Sequence, residues 1–280
     1  MMTEISLQCT SHKCADVNKK MSKIRLLCGM AVLAGLITSC STSSSTDPAD
    51  AYKGESERQI YLRGKADLQD KSYSEAVKRF EALDVQYPYG EYTESAQLDL
   101  IYAYYMKEEY ILSSSAADHF IRVHPDNPNV DYAYYMRGVS DYYQNMGILE
   151  RLFIVDLATR DLSQIQKSYN DFSELTMRFP NSRYAPSAHQ YMVFLRNVMA
   201  DHELQVAKYY YNRKAYVASA NRASGLVAHY QGAPSVPEGL EVMAKSYRRL
   251  GLSKFEQDTV AVYQYNYPGA VINWDARYKL

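Results

Sequence analysis

One side chain in this sequence has a definite covalent chemistry open to it. Ile37-Thr38-Ser39-Cys40 has the form of a bacterial lipobox. In that motif the cysteine thiol takes a diacylglycerol, the chain is cut before the cysteine, and the new amino group is acylated. The preceding residues suit this: Lys23 and Arg25 form a short basic start, and Leu26 to Leu36 an apolar run of eleven residues. A basic start and a short apolar core mark a secretory signal; a bilayer span needs about 20 apolar residues. Ser41 to Thr46 then form a polar tether, expected between a lipid and a folded body. Ser41 at position +2 is the residue that permits export to the outer membrane in enteric-type lipoprotein sorting. The expectation is an N-acyl, S-diacylglycerol lipid (palmitate-type chains) on Cys40 and no other cofactor. Several acyl chains anchor stably, because each buried methylene contributes about 0.8 kcal/mol. The alternative is an ordinary signal peptide with an incidental cysteine.

Other reactive types do not assemble into a site. Cys9, His12 and Cys14 lie within a few residues of one another, but their spacing matches no closed tetrahedral zinc site. The four cysteines all fall in the first forty residues, which excludes a disulfide framework in the rest. His202-Glu203 is followed four residues after the histidine by Val206, so no zinc-protease helix forms. Asp141, Glu150 and Asp156 are carboxylates that no motif pairs. Phosphate-binding loops, dinucleotide fingerprints and nucleophile elbows are missing from the sequence. The reading is therefore a protein that is not an enzyme and binds no metal. A net charge of −1 gives no basis for a nucleic-acid partner.

The elements that position the remaining candidates repeat along the chain. Tyr73, Ala76 and Phe80 lead to Tyr87-Pro88; Tyr110 and Phe120 lead to His124-Pro125; Phe172 and Leu175 lead to Phe179-Pro180; Tyr263 leads to Tyr267-Pro268. Pro234 follows Tyr216, Leu226 and Tyr230, giving proline spacings of 37, 55, 54 and 34 residues. A tetratricopeptide (TPR) helix pair takes about 34 residues. The fold expected is all-α, a superhelical array of about five TPR-like helix pairs, or α-solenoid, whose stacked units present an extended concave surface. Residues 1–20 read as a start-site overcall before Met21, or else as an extended basic region. Residues 21–39 read as signal, 40–54 as tether, and 55–180 as pairs 1–3 with an insertion at 143–163. Residues 181–268 read as pairs 4–5, and 269–280 as a tail without periodicity that carries the sole tryptophan, Trp274. Twenty-eight tyrosines against seven phenylalanines suit half-buried helices beside a wet groove.

Particular strings then point to a family. Tyr87-Pro88-Tyr89-Gly90-Glu91-Tyr92 precedes Leu98-Asp99-Leu100-Ile101-Tyr102-Ala103-Tyr104-Tyr105. His124-Pro125-Asp126-Asn127-Pro128-Asn129-Val130-Asp131-Tyr132 follows, with Tyr135-Met136-Arg137-Gly138. Phe179-Pro180-Asn181-Ser182-Arg183-Tyr184, Phe194-Leu195 and Asn221-Arg222 come later. In this order behind a lipobox, they resemble the BamD (ComL) family, TPR lipoproteins of the outer-membrane β-barrel assembly machinery of Gram-negative bacteria. The resemblance covers about residues 36–268 and is carried most strongly between 80 and 140.

The resemblance implies a scaffold anchored in the outer membrane through its lipid and facing the periplasm. It would hold the last POTRA domain of BamA through C-terminal repeats, and receive unfolded β-barrel proteins on N-terminal repeats. Other Bam lipoproteins are implied as further partners. The family's Asn-Arg dipeptide at the BamA contact maps onto Asn221 and Arg222, where a guanidinium fork suits a carboxylate; the alternative for Arg222 is a salt bridge within the repeat. First helices of TPR pairs line the concave face, which nominates Tyr61, Arg63, Tyr105, Tyr135 and Arg137 for the substrate groove. Tyrosine rings there would receive the aromatic residue that ends a barrel protein's targeting strand, and an arginine its carboxylate. The alternatives are a TPR lipoprotein serving cell division, pilus assembly or polysaccharide export, or one that inhibits an enzyme.

Overall fold

The structure is a computed structural model, and it describes residues 47, 48, 50–144, 158, 161–274 and 278. The expectations for residues 1–46, including the lipid on Cys40, and for most of the 143–163 insertion lie outside the described residues. The described part from Pro48 onward contains ten α-helices and no strand. They are α1 (Glu57–Gln69), α2 (Tyr73–Gln86), α3 (Thr93–Met106), α4 (Tyr110–Val123), α5 (Val130–Tyr143), α6 (Ser163–Arg178), α7 (Ala185–Asn212), α8 (Tyr216–His229), α9 (Val236–Arg249) and α10 (Ser253–Asn266). Each packs on the next, making five pairs in a helical repeat solenoid. First helices also touch first helices, α1 with α3, α3 with α5 and α7 with α9. These odd-numbered helices are the inner layer of such an array.

Two backbone devices repeat. Within pairs 1, 2, 4 and 5 a three-residue turn places its middle residue in the left-handed region: Lys71 (φ 59), Glu108 (φ 64), Lys214 (φ 61) and Gly251 (φ 73). The next amide then donates back five residues, Ser72 to Asp67, Glu109 to Tyr104, Ala215 to Tyr210 and Leu252 to Tyr247, at 2.8–3.0 Å. This is a Schellman ending, which satisfies helix-terminal carbonyls. At the ends of pairs 1, 2, 3 and 5, Tyr87, His124, Phe179 and Tyr267 each precede a proline and take φ near −125 to −130. The proline ring disfavours helix at the residue before it. A turn follows, in which Gly90, Asn127, Ser182 and Ala270 donate to those residues' carbonyls. In the fourth pair the corresponding turn is Tyr230 to Ala233, with Gly232 at φ 81. Pro234 is thus not the register mark that its spacing indicates: Tyr230 is, because glycine there supplies the turn that proline supplies elsewhere.

Serine and glycine set how closely the helices approach. Ser113 Oγ donates to the Ile101 carbonyl, Ser168 Oγ to Gly138 and Ser219 Oγ to Ala207, all at 2.8–2.9 Å and all buried. Each ties the second helix of its pair to the first. Pairs are tied to pairs by Ser140 Oγ on Ser113 Oγ at 2.8 Å and Ser246 Oγ on Ser219 Oγ at 3.0 Å. Gly64 faces the Phe80 ring and Gly138 the Phe172 ring, both rings fully buried. The 28-residue α7, with Pro186 in its first turn, joins two cores. Its Ala188, Leu195 and Met199 pack with Phe120, Phe172 and Leu175; its Leu204, Ala207 and Tyr211 pack with Leu226, Leu240 and Val242.

Candidate peptide-binding site

Ten aromatic rings on and beside α3, α5 and α7 form one connected set. Tyr132 meets Tyr184 at 5.6 Å between centroids, and Tyr184 stacks on Tyr135 at 4.9 Å. Tyr135 reaches Phe172 at 6.0 Å, and Phe172 stacks on Tyr191 at 4.8 Å and 11°. Tyr142 stands edge-on to Tyr191 at 5.6 Å and to Phe194 at 5.9 Å. Tyr143 contacts Tyr142 at 4.9 Å, Tyr110 at 5.6 Å and Tyr105 at 5.9 Å. Each such pair contributes about 0.5–1.5 kcal/mol beyond its buried area. An open hollow of ≈ 430 Å³ lies in this surface, lined by Tyr142 and Tyr143 of α5 and Ser187, Gln190, Tyr191 and Phe194 of α7.

The Tyr105 and Tyr191 hydroxyls stay neutral. Burial pushes the Tyr105 and Tyr191 phenols up, reinforced by neighbouring tyrosines including Tyr143 and Tyr135. A tyrosine hydroxyl both donates and accepts; that of Tyr135 shares a 3.0 Å hydrogen bond with Ser187 Oγ. Rings, hydroxyls and the Gln190 amide can hold an extended backbone and an aromatic side chain. Among the described residues no group of three or more His, Cys, Asp or Glu could hold a metal.

The residues expected from sequence are distributed unequally. Tyr105 and Tyr135 belong to the ten-ring set. Tyr61 belongs to a second ring group, 5.0 Å from Tyr92 and 6.3 Å from Phe80. Burial raises its phenol, with Asp99 the next cause, and Asp99 pairs with Lys65 at 2.9 Å. Arg63 is exposed and paired with Glu55 at 2.6 Å. Arg137 departs from its expected place as an available cation, because its side chain is only 11% exposed and lies among three carboxylates. It stands 2.8 Å from Asp171, 2.7 Å from Glu174 and 3.2 Å from Asp118. A buried guanidinium needs that pairing, and nothing remains over for a ligand. Arg183 is exposed beside the same aromatic surface, 4.8 Å from the Tyr184 ring, and among the described residues no carboxylate pairs with it.

Sequence reasoning missed Tyr142, Tyr143, Tyr184, Tyr191 and Phe194. A signal was present: Tyr135 and Tyr142 are two turns apart, as are Tyr184 and Tyr191, with Phe194 a turn further on.

Asn221 and Arg222 are both exposed on α8. Arg222 Nη1 lies 3.1 Å and 3.2 Å from the two carboxylate oxygens of Glu203 on α7. Glu203 lines a second open hollow of ≈ 460 Å³, with Leu162, Gln166, Met199, His202 and Tyr230 among the other walls. His202 Nδ1 is 2.6 Å from the Ala158 carbonyl.

Comparison with known proteins places this architecture. Residues 53–262 match the family model YfiO, described as an outer membrane lipoprotein. The outer membrane protein assembly factor BamD of Neisseria meningitidis serogroup B is 34% identical over 249 residues, covering 89% of this chain and 92% of that protein. The BamD of Haemophilus influenzae is 35% identical over 246 residues, covering 88% and 92%. The BamD of Vibrio cholerae is 33% identical over 244 residues, covering 87% and 99%.

Proposed function

Since this chain belongs to the BamD family of outer membrane protein assembly factors, we propose that it is the scaffold on which an unfolded β-barrel protein meets the machinery that inserts it. Assembly at the outer membrane is the role the family carries. The finer reading has three parts. A lipid on Cys40 anchors the chain with its solenoid in the periplasm. The α8 surface at Asn221 and Arg222 holds a POTRA domain of BamA. The aromatic inner surface of α3, α5 and α7 receives the terminal strand of a barrel protein.

The observation that carries the third part is the ten-ring surface around the Tyr142–Phe194 hollow. An extended peptide ending in an aromatic residue and a carboxylate fits it in two ways. The ring enters among rings, and the carboxylate pairs with Arg183 rather than with the enclosed Arg137. This is recognition by a groove with pockets for alternate side chains.

A photo-crosslinker at Tyr105, Gln190 or Phe194 tests it, with one at Val85 on the outer helix α2 as control. Capture of a peptide ending in an aromatic residue at the first three positions, reduced when its carboxylate is amidated, is the expected result. Equal capture at Val85, or none at the three, rejects the reading.

A further inference from the structure

The chain enters its first helix pair at one edge of the solenoid. Gln86, the last residue of α2, donates its side-chain amide to the Pro48 carbonyl at 2.9 Å and to the Ala51 carbonyl. Tyr87 Oη donates to the Glu55 carbonyl at 3.0 Å, and the Arg79 guanidinium covers the Tyr52 ring at 4.3 Å. The entering segment is thereby fastened at the C-terminal end of α2. That end carries the turn between pairs 1 and 2. The turn within pair 1, at Lys71, lies at the other end of the 14-residue helix, about 21 Å away.

The turns between pairs form a row along this edge, because each is bonded to an acidic residue in the first turn of the preceding pair's first helix. The Tyr92 amide donates to Glu57 of α1 at 2.5 Å, Asn127 Nδ2 to Glu94 of α3 at 2.5 Å, and Ser182 Oγ to Asp131 of α5 at 2.6 Å. These bonds engage the three carboxylates within the row. Outward from the edge stand Tyr89, 100% exposed in the first turn, Val85 four residues before it, and Val123 at the end of α4, the last two about half exposed. The exposed charges of these two turns have both signs, Glu91 and Asp126 against Arg122, which pairs with Asp118. A ring wholly in water contributes nothing to the core.

Apolar exposure alone does not single out this edge, since Ile111, Leu112 and Val217 are exposed at the other. The point of entry does. Eight residues separate Cys40 from Pro48, and a chain of that length spans at most about 28 Å when fully extended. From a lipid on Cys40 the turn edge lies within reach of the bilayer surface, and the opposite edge lies a helix length farther off. Tyrosine is a residue of that surface, with its ring at the acyl boundary and its hydroxyl among headgroups.

We propose that the turn edge of pairs 1 and 2 is a membrane contact, in which Tyr89, with Val85 and Val123, enters the headgroup region of a phospholipid bilayer. The inference rests on the lipid at Cys40 given under Proposed function. The contact converts a point anchor into an oriented one and keeps the within-pair turns away from the membrane. Because the charges of the edge balance, it takes zwitterionic headgroups and is insensitive to salt.

The test uses the chain isolated from membranes and reconstituted on phosphatidylcholine vesicles. Its intact mass decides first on the lipid at Cys40. A missing lipid rejects the anchor and the edge contact together; a lipid present leaves the edge contact to be judged alone. Cys9, Cys14 and Cys28 all precede Cys40, so the cut and acylated chain has no other free thiol. A nitrobenzoxadiazole probe is attached to a cysteine placed at Val85, Tyr89 or Val123, with Gln69 and Ser72 at the opposite edge as controls. The expected result is a blue shift at the first three positions, quenched by headgroup spin-labelled lipid, unchanged in high salt and absent from the controls. With the probe at Val123, Tyr89→Ser should diminish the shift and Tyr89→Trp should retain it, with helical circular dichroism unaltered in both. A probe at position 89 that stays in water, an equal shift at the controls, or no effect of Tyr89→Ser overturns the proposal. Shielding that appears only when outer-membrane proteins are added overturns it too, and makes the edge a protein-docking face.

Discussion

Gly138 is the floor on which the Phe172 ring rests. A β-carbon at Gly138 would lie 2.8 Å from Phe172 Cε1, inside any real contact distance, and Phe172 is fully buried. Gly138→Ala should therefore destabilise the array by about 1–3 kcal/mol, the usual cost of overpacking. Gly225 on α8 offers the opposite case, since a β-carbon there meets nothing within 4 Å. Gly225→Ala should stabilise by about 0.4–1 kcal/mol through the unfolded chain. Denaturant midpoints of the two variants, moving in opposite directions, check both.

Asp171 makes stability pH-dependent. Burial pushes its carboxyl up to about 8, and a hydrogen bond with Asp141 adds to this; Arg137 opposes it. The folded value lies above the unfolded one, so the native state holds a proton that the unfolded chain releases. The associated stability is full below about pH 4 and is lost as pH rises through about 8. Asp171→Asn imitates the protonated form. Its melting temperature should fall less than that of the unaltered chain between pH 5 and 8, and parallel curves would contradict this.

Phe194 is 44% exposed at the rim of the aromatic hollow. Phe194→Ala should leave the melting temperature nearly unchanged and weaken a peptide with a terminal aromatic by about tenfold, as truncation of an anchoring aromatic does. Arg183→Gln should halve, at the least, the preference for a free over an amidated carboxylate. Fluorescence anisotropy with the two peptide forms measures both effects.

Glu203 competes with any outside carboxylate for Arg222. The internal pair is half exposed, and such pairs contribute about 0–1 kcal/mol. Glu203→Gln should then strengthen POTRA-domain binding by up to about fivefold, whereas Arg222→Glu should weaken it by tenfold or more. Titration calorimetry with isolated POTRA domains tells the two apart; an unchanged affinity in both variants removes Arg222 from the interface.

On the proposal that a lipid on Cys40 is the anchor, Cys40→Ala should shift the protein from the outer-membrane fraction to the periplasmic soluble fraction. The fractionation is read by immunoblot after a high-salt wash, which strips partners held by charge.

The helix pairs were legible because two signals repeat, the small residue facing a large one and the residue before proline. The fourth pair's register was misplaced at Pro234 because glycine at Gly232 makes the same turn by a different route. Tyr105 and Tyr135 were legible as inner-layer residues from their place on first helices. Arg137 was not, because its three carboxylate partners come from α4 and α6, and only folding brings them together.

The buried serine that closes pairs 2, 3 and 4 also sets a kinetic order. Ser113 and Ser219 reach carbonyls 12 residues away, but Ser168 must find Gly138 across 30. Bringing the longer loop's ends together costs about 0.8 kcal/mol more in chain entropy. Pairs on either side can zip locally, while the middle waits for that closure. Early in refolding the chain should therefore hold two separately protected segments, α1–α4 and α7–α10, with α5 and α6 exchanging fastest between them. The long α7, already formed at its C-terminal half, then offers the template on which the centre condenses.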